Sequence, residues 1–128
     1  MSIASRLRVL IVDDMSTSRL LVRDSLEQIG IKNIFHAKDG KEALEFMMTT
    51  PAHMLISDVN MPNLDGIGLL KAVREYVPTS KVPFIMLTGL KDKAVVEKAI
   101  RLGINNFITK PFTPESLKKA IEAIVGKL

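Results

Sequence analysis

The chain has 128 residues, a length typical of one domain with a hydrophobic core of its own. Apolar residues make up 47% and charged residues 25%, a balance that excludes intrinsic disorder, collagen and coiled coil. Cysteine is absent, which excludes a disulfide framework, a thiolate metal site and a catalytic thiol.

The net charge of +4 raises the question of nucleic-acid binding. The basic residues are scattered from Arg6 to Lys127, and Tyr76 is the single tyrosine in a chain without tryptophan. We therefore predict no direct contact with nucleic acid. The apolar run at residues 9–12 is too short for a signal peptide or a membrane helix, so we expect no membrane insertion and a cytoplasmic location.

Five short apolar runs alternate with longer amphipathic segments along the chain. The runs are too short for helices, and their composition favours strands buried inside a domain. The predicted strands cover residues 8–12, 33–37, 54–57, 84–87 and 106–109.

A helical pattern follows each predicted strand. The predicted helices cover residues 15–29, a segment that Asp39 caps and Pro51 ends, 66–77, 93–102, and a last helix that Thr113 caps. The first of them is marked by apolar residues at helical spacing, including Leu20, Leu21 and Leu26. Gly30 and Gly103 are expected to end two of these helices in the left-handed conformation.

Strict alternation of strands and helices predicts a parallel sheet covered on both faces, an open doubly wound α/β domain. An eight-unit barrel would need about twice this length. In open sheets of this kind the ligand lies beyond the carboxyl ends of the strands, where the strand order reverses. Functional residues are therefore expected at that edge.

Polar residues follow four of the predicted strands. Asp13 and Asp14 end the first strand, Asp58 the third, Thr88 the fourth and Lys110 the fifth. Taken singly, each is better explained as a turn, a helix cap, a strand end or a solvated charge than as a functional group. Because the carboxyl ends of parallel strands share one edge, we expect all five side chains to converge.

Three neighbouring carboxylates repel one another, and their pKa values rise unless a cation is present. Oxygen ligands without histidine or cysteine suit Mg²⁺, which is commonly held by one or two carboxylates together with phosphate oxygens. A lysine on the opposite wall supplies a positive charge suited to phosphate. The sequence therefore predicts a Mg²⁺-dependent site that handles a phosphoryl group on or beside a carboxylate.

These motifs resemble the receiver domain of bacterial response regulators, and the resemblance runs over the whole chain. The motifs are Val12-Asp13-Asp14, Asp58-Val59-Asn60-Met61-Pro62 with Asp65-Gly66, Thr88-Gly89 and Lys110-Pro111-Phe112. Within the family, residues 12–17, 56–63 and 110–113 are most similar to the chemotaxis regulators. The resemblance implies a flavodoxin-like sheet of strand order 2-1-3-4-5 with five helices. We expect residues 1–128 to form a single receiver domain without an output domain.

The resemblance implies that Asp58 is the phosphoacceptor. It also implies that Asp13, Asp14, Asp58 and the backbone carbonyl of Asn60 hold Mg²⁺. Each role is chemically reasonable, because a carboxylate is a weak nucleophile and needs nearby positive charge to accept a phosphoryl group.

Three further residues are expected to bind the phosphoryl group. By the same resemblance, the Thr88 hydroxyl and the Lys110 ammonium contact phosphoryl oxygens, and Gly89 leaves space and offers its amide. The peptide bond before Pro111 is expected to be cis.

Two functions beyond binding are implied by the family pattern. Asn60 and Leu90 are expected to tune dephosphorylation, and we expect Leu90→Glu to change its rate severalfold. Thr88 and Phe107 are expected to form the switch that reports phosphorylation. The signal is expected on the face formed by residues 93–102, 106–109 and 113–125.

The implied partners are a histidine kinase as donor and, for a chemotaxis-type receiver, the flagellar motor switch as target. We expect a monomer that catalyses only its own phosphorylation and dephosphorylation, and therefore not an enzyme with an external substrate. The alternative is a stand-alone receiver that acts as a phosphate sink or a phosphorelay intermediate.

Two other classes of protein would explain part of this pattern. A Mg²⁺-dependent aspartyl-phosphate phosphatase of the haloacid-dehalogenase type would carry Asp-x-Asp after its first strand, whereas this chain has Asp13-Asp14 there. A nucleotide or flavin binder would need a phosphate-binding loop at that point, for which Met15-Ser16-Thr17-Ser18 is a faint signal. Trapping of a phosphoryl group from acetyl phosphate separates a receiver from such a binder.

Overall fold

The computed structural model describes residues 2–89 and 93–128. Its sheet has five parallel strands: β1 (Arg8–Val12), β2 (Asn33–Ala37), β3 (Met54–Asp58), β4 (Phe84–Thr88) and β5 (Asn106–Thr109). The strand order is β2-β1-β3-β4-β5, which confirms the predicted fold. β3 and β4 each run one residue further than the sequence predicts, so Asp58 and Thr88 belong to the sheet itself.

The described ranges contain six α-helices: α1 (Ile3–Arg6), α2 (Ser16–Gln28), α3 (Gly40–Thr49), α4 (Gly66–Glu75), α5 (Lys93–Arg101) and α6 (Pro114–Val125). The last five correspond to the five predicted helices. α1 is an additional single turn, which is too short to show a helical period. Among the described residues, no helix combines the length and the apolar character needed to cross a membrane.

The helix ends follow local capping chemistry. The Asp39 side chain accepts the Glu42 amide at the start of α3, and Thr113 caps α6 in a capping box. Gly30 and Gly103 have φ angles of 94° and 88°, which confirms their left-handed conformation. α4 ends at Glu75 rather than at residue 77, because residues 77–79 form a separate 3₁₀ turn.

The sheet is buried on both faces, as expected for a doubly wound domain. Alternate residues of β1 separate the two cores: Val9 and Ile11 pack with α2 and α6, whereas Leu10 and Val12 lie in the cluster formed with α3, α4 and α5. The carboxyl edge of the sheet therefore lies between two packed hydrophobic cores.

The outer face of α2 is more apolar than its packing requires. Val22, Ser25 and Leu26 form the buried stripe at helical spacing. Leu20 and Leu21 lie outside this stripe and are 49% and 63% exposed, so helical spacing alone did not identify the inward face.

Candidate functional site

The strand register brings the predicted polar residues to one edge of the sheet. Val12 lies opposite Ser57, and Thr88 lies opposite Thr109. The residues that end these strands or follow them directly are therefore neighbours across the sheet. They are Asp13, Asp58, Thr88 and Lys110.

Three carboxylates converge at this edge. One oxygen each from Asp13, Asp14 and Asp58 lies within 4.8 Å of the others. Asp13 is buried, Asp58 is half-buried and Asp14 is exposed, so the cluster opens from the sheet toward solvent. An oxygen-only set of this kind suits a hard divalent cation.

Asp13 is the buried carboxylate of the cluster, and one of its oxygens has no hydrogen-bond partner among the described residues. Its Oδ1 accepts the Met15 amide N–H at 3.0 Å, whereas its buried Oδ2 has no hydrogen-bond partner among the described residues. Burial raises the pKa of Asp13 above 3.8, and the charge of Asp58 raises it further, while the Met15 bond opposes the shift.

The Arg19 guanidinium forms no hydrogen bond with the Asp13 carboxylate. Arg19 donates to the backbone carbonyl of Asp13 at 2.6 Å, which ties α2 to the end of β1 but leaves the side-chain oxygens alone. A buried acceptor without a donor is costly, and a cation placed beside it removes that cost. The residues present therefore fit a bound Mg²⁺.

Asp58 is held from two directions. Its Oδ1 accepts the Val59 amide N–H and the Lys110 Nζ, each at 2.9 Å. Lys110 is itself positioned by its backbone N–H, which donates to the Thr88 carbonyl at 2.9 Å. The Lys110–Pro111 peptide bond is cis, as the sequence resemblance implied. The structure thus brings the predicted nucleophile and the predicted phosphate-binding lysine into direct contact.

Thr88 is buried, and its hydroxyl donates to the Gly89 carbonyl at 3.1 Å. A Cβ on Gly89 would meet no heavy atom within 4 Å, so the space beside this residue is open. Both residues line a cavity of about 370 Å³ together with Phe107, which is half-buried. The two predicted switch residues therefore share one cavity, and the switch itself stays a prediction.

Of the two residues predicted to tune dephosphorylation, Asn60 lies within the described part of the chain. Asn60 is exposed in the loop after β3 and lines, with Asp65, a cavity between α4 and α5. Leu90 lies outside the described residues.

Sequence reasoning missed one connection beside the site. The Asn63 side-chain amide donates to Asp39 Oδ2 at 2.7 Å and joins the loop after β3 to the start of α3. The bonds from Asn63 and from the Glu42 amide lower the pKa of Asp39 below 3.8, the Glu42 bond more strongly. The sequence identifies Asp39 as a helix cap, but it does not reveal the bond to Asn63, because the two residues are 24 positions apart in the chain.

Comparison with known proteins agrees with this geometry. Residues 9–122 match the model of the response regulator receiver domain. A probable chemotaxis protein CheY of Rhizobium etli is 52% identical over 128 residues, which is 100% of this chain and 99% of the relative. The chemotaxis protein CheY1 of Helicobacter pylori is 38% identical over 121 residues, which is 94% of this chain and 98% of that protein.

A solved structure shows the same architecture. The chemotaxis response regulator CheY4 of Vibrio cholerae superimposes with a TM-score of 0.82 at 34% identity, covering 91% of this chain and 96% of that one. The resemblance seen in the sequence motifs is confirmed. This chain belongs to the response regulator receiver domain family and is closely related to the CheY chemotaxis proteins.

Proposed function

We propose that this chain accepts a phosphoryl group on Asp58 from a histidine kinase, in a Mg²⁺-dependent reaction. The observation that carries the proposal is the 2.9 Å contact between Lys110 Nζ and Asp58 Oδ1, set within a cluster of three carboxylates. Family membership supports a histidine kinase as donor, and the CheY relatives support the flagellar motor switch as target.

Asp13, Asp14 and Asp58 would hold the cation, together with the backbone carbonyl of Asn60. The main support is Asp13, whose buried Oδ2 has no donor among the described residues. When bound, Mg²⁺ supplies positive charge that offsets the repulsion among the carboxylates and the charge of the incoming phosphoryl oxygens.

Asp58 performs the covalent step. A carboxylate oxygen of Asp58 forms a bond to phosphorus while the phosphorus–nitrogen bond of the donor phosphohistidine breaks, and the electron pair stays on the imidazole nitrogen. The Val59 amide N–H bond to Oδ1 orients the carboxylate. The reaction leaves an acyl phosphate on Asp58 and, because the other imidazole nitrogen carries a proton, a neutral histidine on the kinase.

Lys110 and Thr88 respond to the new charge. The Lys110 ammonium exchanges Asp58 Oδ1 for a phosphoryl oxygen, which carries more negative charge. The Thr88 hydroxyl exchanges the Gly89 carbonyl for another phosphoryl oxygen, because charged acceptors form stronger hydrogen bonds. The Gly89 amide N–H donates a further hydrogen bond to the phosphoryl group. The chain then catalyses only its own phosphorylation and dephosphorylation.

The cavity that Thr88 shares with Phe107 supports a switch at Phe107. When the hydroxyl turns toward the phosphoryl group, it leaves space in the cavity that Phe107 lines. A phenyl ring enters this space without a polar group to satisfy, so the coupling is steric. The signal would reach the face of α5, β5 and α6. Chemical-shift mapping with a beryllofluoride mimic tests this, and changes confined to the loops around Asp58 would refute it.

The phosphoacceptor is tested with acetyl phosphate and intact-protein mass measurement. The unchanged chain should gain one phosphoryl group in the presence of Mg²⁺, and Asp58→Asn should gain none. Asp65→Asn is the matched control, because it also removes a carboxylate. Asp65 lies seven residues further along the chain and caps α4. Uptake of label by Asp58→Asn at full stoichiometry would show that the assignment is wrong.

A further inference from the structure

Two parts of the acidic site are connected by a segment of chain that contributes no ligand. This segment is residues 37–40, here called the strap. At its start, the Ala37 carbonyl accepts the backbone N–H of Asp13 at 3.1 Å. At its end, Asp39 Oδ2 accepts the Asn63 side-chain amide at 2.7 Å. The strap therefore contacts both the end of β1 and the loop of residues 59–65, which carries Asn60.

The base of that loop is closed against β3. The Gly66 amide N–H donates to the Val59 carbonyl at 2.8 Å. Gly66 also packs so closely on the Asp58 carbonyl that a Cβ at this position would overlap it. These contacts fix both ends of the loop, and Asn60 is the residue that follows Val59 at the first of these ends.

The tip of the loop depends on the strap. Asn63 has a φ of 67°, a left-handed conformation that is uncommon for non-glycine residues and that asparagine adopts more readily than most. Its side chain is held by Asp39, and the neighbouring Leu64 carbonyl accepts the Gly40 amide N–H at 2.9 Å. Two hydrogen bonds between the strap and the loop, one donated by Asn63 and one donated by Gly40, therefore define where the tip lies.

Asp39 is well suited to hold this tip because its own carboxylate cannot rotate freely. Oδ1 accepts the Glu42 amide N–H at 2.8 Å as the cap of α3, which leaves Oδ2 for Asn63. The residue is only 4% exposed, so water competes little for either oxygen. Asp39 therefore links the start of α3 to the loop of residues 59–65.

We propose that Asp39, acting through Asn63, is a positioning residue for the divalent cation. It holds the loop of residues 59–65 so that the Asn60 carbonyl keeps a constant place relative to Asp13. A backbone carbonyl has no rotamer of its own, and only the path of the loop decides where it points. This inference rests on the proposed function, since it concerns the same cation site.

The test measures the Mg²⁺ dissociation constant by calorimetric titration in matched variants. Asp39→Ser keeps a capping oxygen for Glu42 but is too short to reach Asn63. Asn63→Gly keeps the left-handed backbone and removes the amide. We expect each change to weaken Mg²⁺ binding about tenfold, the lower end of the range for groups that orient metal ligands. The double variant should bind no more weakly than either single variant.

Two further variants separate positioning from charge. In Asp39→Asn, the side-chain oxygen still caps α3 and the new amide pairs with Asn63 after the Asn63 amide turns over. This variant should therefore bind Mg²⁺ within about twofold of the unchanged chain. Asp24→Asn is the control for loss of a carboxylate, because Asp24 is exposed on α2 and outside the loop, and it should also bind within about twofold.

Amide hydrogen exchange without metal gives a second readout. Exchange at residues 60–64 should be faster in Asp39→Ser and Asn63→Gly and unchanged in Asp39→Asn. Mg²⁺ affinity equal to that of the unchanged chain in Asp39→Ser would overturn the positioning role while leaving the proposed function intact. Failure of the unchanged chain to bind Mg²⁺ more tightly than Asp13→Asn would overturn both.

Discussion

Two aspartates at the same edge of the sheet have opposite electrostatics. Asp13 follows β1 and Asp39 lies two residues after β2, and they are 1% and 4% exposed. Both oxygens of Asp39 accept hydrogen bonds, from Glu42 and Asn63, and its pKa is lowered. One oxygen of Asp13 has no partner among the described residues, and burial raises its pKa.

The difference distinguishes a carboxylate with both oxygens hydrogen-bonded from one that has an oxygen available for a ligand. A buried carboxylate with both oxygens bonded favours its ionised form and the folded chain together. Asp13 is instead buried beside Asp14 and Asp58 at a cost in stability, which a cation removes on binding. On this account, Mg²⁺ should act on Asp13 and leave Asp39 unchanged.

The largest expected effect is stabilisation by Mg²⁺. At a free Mg²⁺ concentration 100 times the dissociation constant, the free energy of unfolding should rise by about 2.7 kcal/mol, because only the folded chain assembles the site. Asp13→Asn should abolish this rise at the same concentration. Urea unfolding with and without Mg²⁺ measures it, and an equal rise in Asp13→Asn would mean that the cation binds elsewhere.

A smaller effect is expected when Asp39 is removed. Asp39→Ala deletes the cap of α3 and the bond to Asn63, so the metal-free chain should lose about 2 kcal/mol of stability. Asp65→Ala is the matched control, since it deletes an exposed cap with one bond to Gly68, and it should lose about 1 kcal/mol. Equal losses in the two variants would show that the Asn63 bond contributes nothing.

The smallest effect is a change in stability without metal when Asp13 is neutralised. Asp13→Asn keeps an oxygen for the Met15 amide and relieves the repulsion from Asp58, so stability at neutral pH should rise by about 1 kcal/mol. A loss of stability in this variant at pH 7 would contradict the raised pKa of Asp13.

The pH dependence of the two aspartates should have opposite signs. Above pH 3.8 the unfolded chain has released the Asp13 proton, whereas the folded chain retains it up to the raised pKa. The Asp13 contribution to stability therefore falls as the pH rises from 3.8 through the raised pKa. The Asp39 contribution is complete above pH 3.8 and is lost as the pH falls through the lowered pKa. Comparing the unfolding free energies of Asp13→Asn and Asp39→Asn with the unchanged chain across this window separates them.

The sequence predicted Asp13 better than Asp39 for a physical reason. Parallel strands bring their carboxyl ends to one edge, so strand prediction alone was enough to group Asp13 with Asp58. The bond between Asp39 and Asn63 joins two loops, and no periodic pattern reports such a contact. The exposure of Leu21 was missed for a related reason, since helical spacing does not say which stripe faces the sheet.

The central claim is that the unpartnered Asp13 oxygen is a ligand of the divalent cation. A crystal soaked in Mn²⁺, with anomalous scattering recorded at the manganese edge, tests it most directly. We expect one anomalous peak in contact with carboxylate oxygens of Asp13 and Asp58, at a distance typical of a metal–oxygen bond. A peak that does not contact Asp13, or no peak at an Mn²⁺ concentration that saturates binding in solution, would contradict the account.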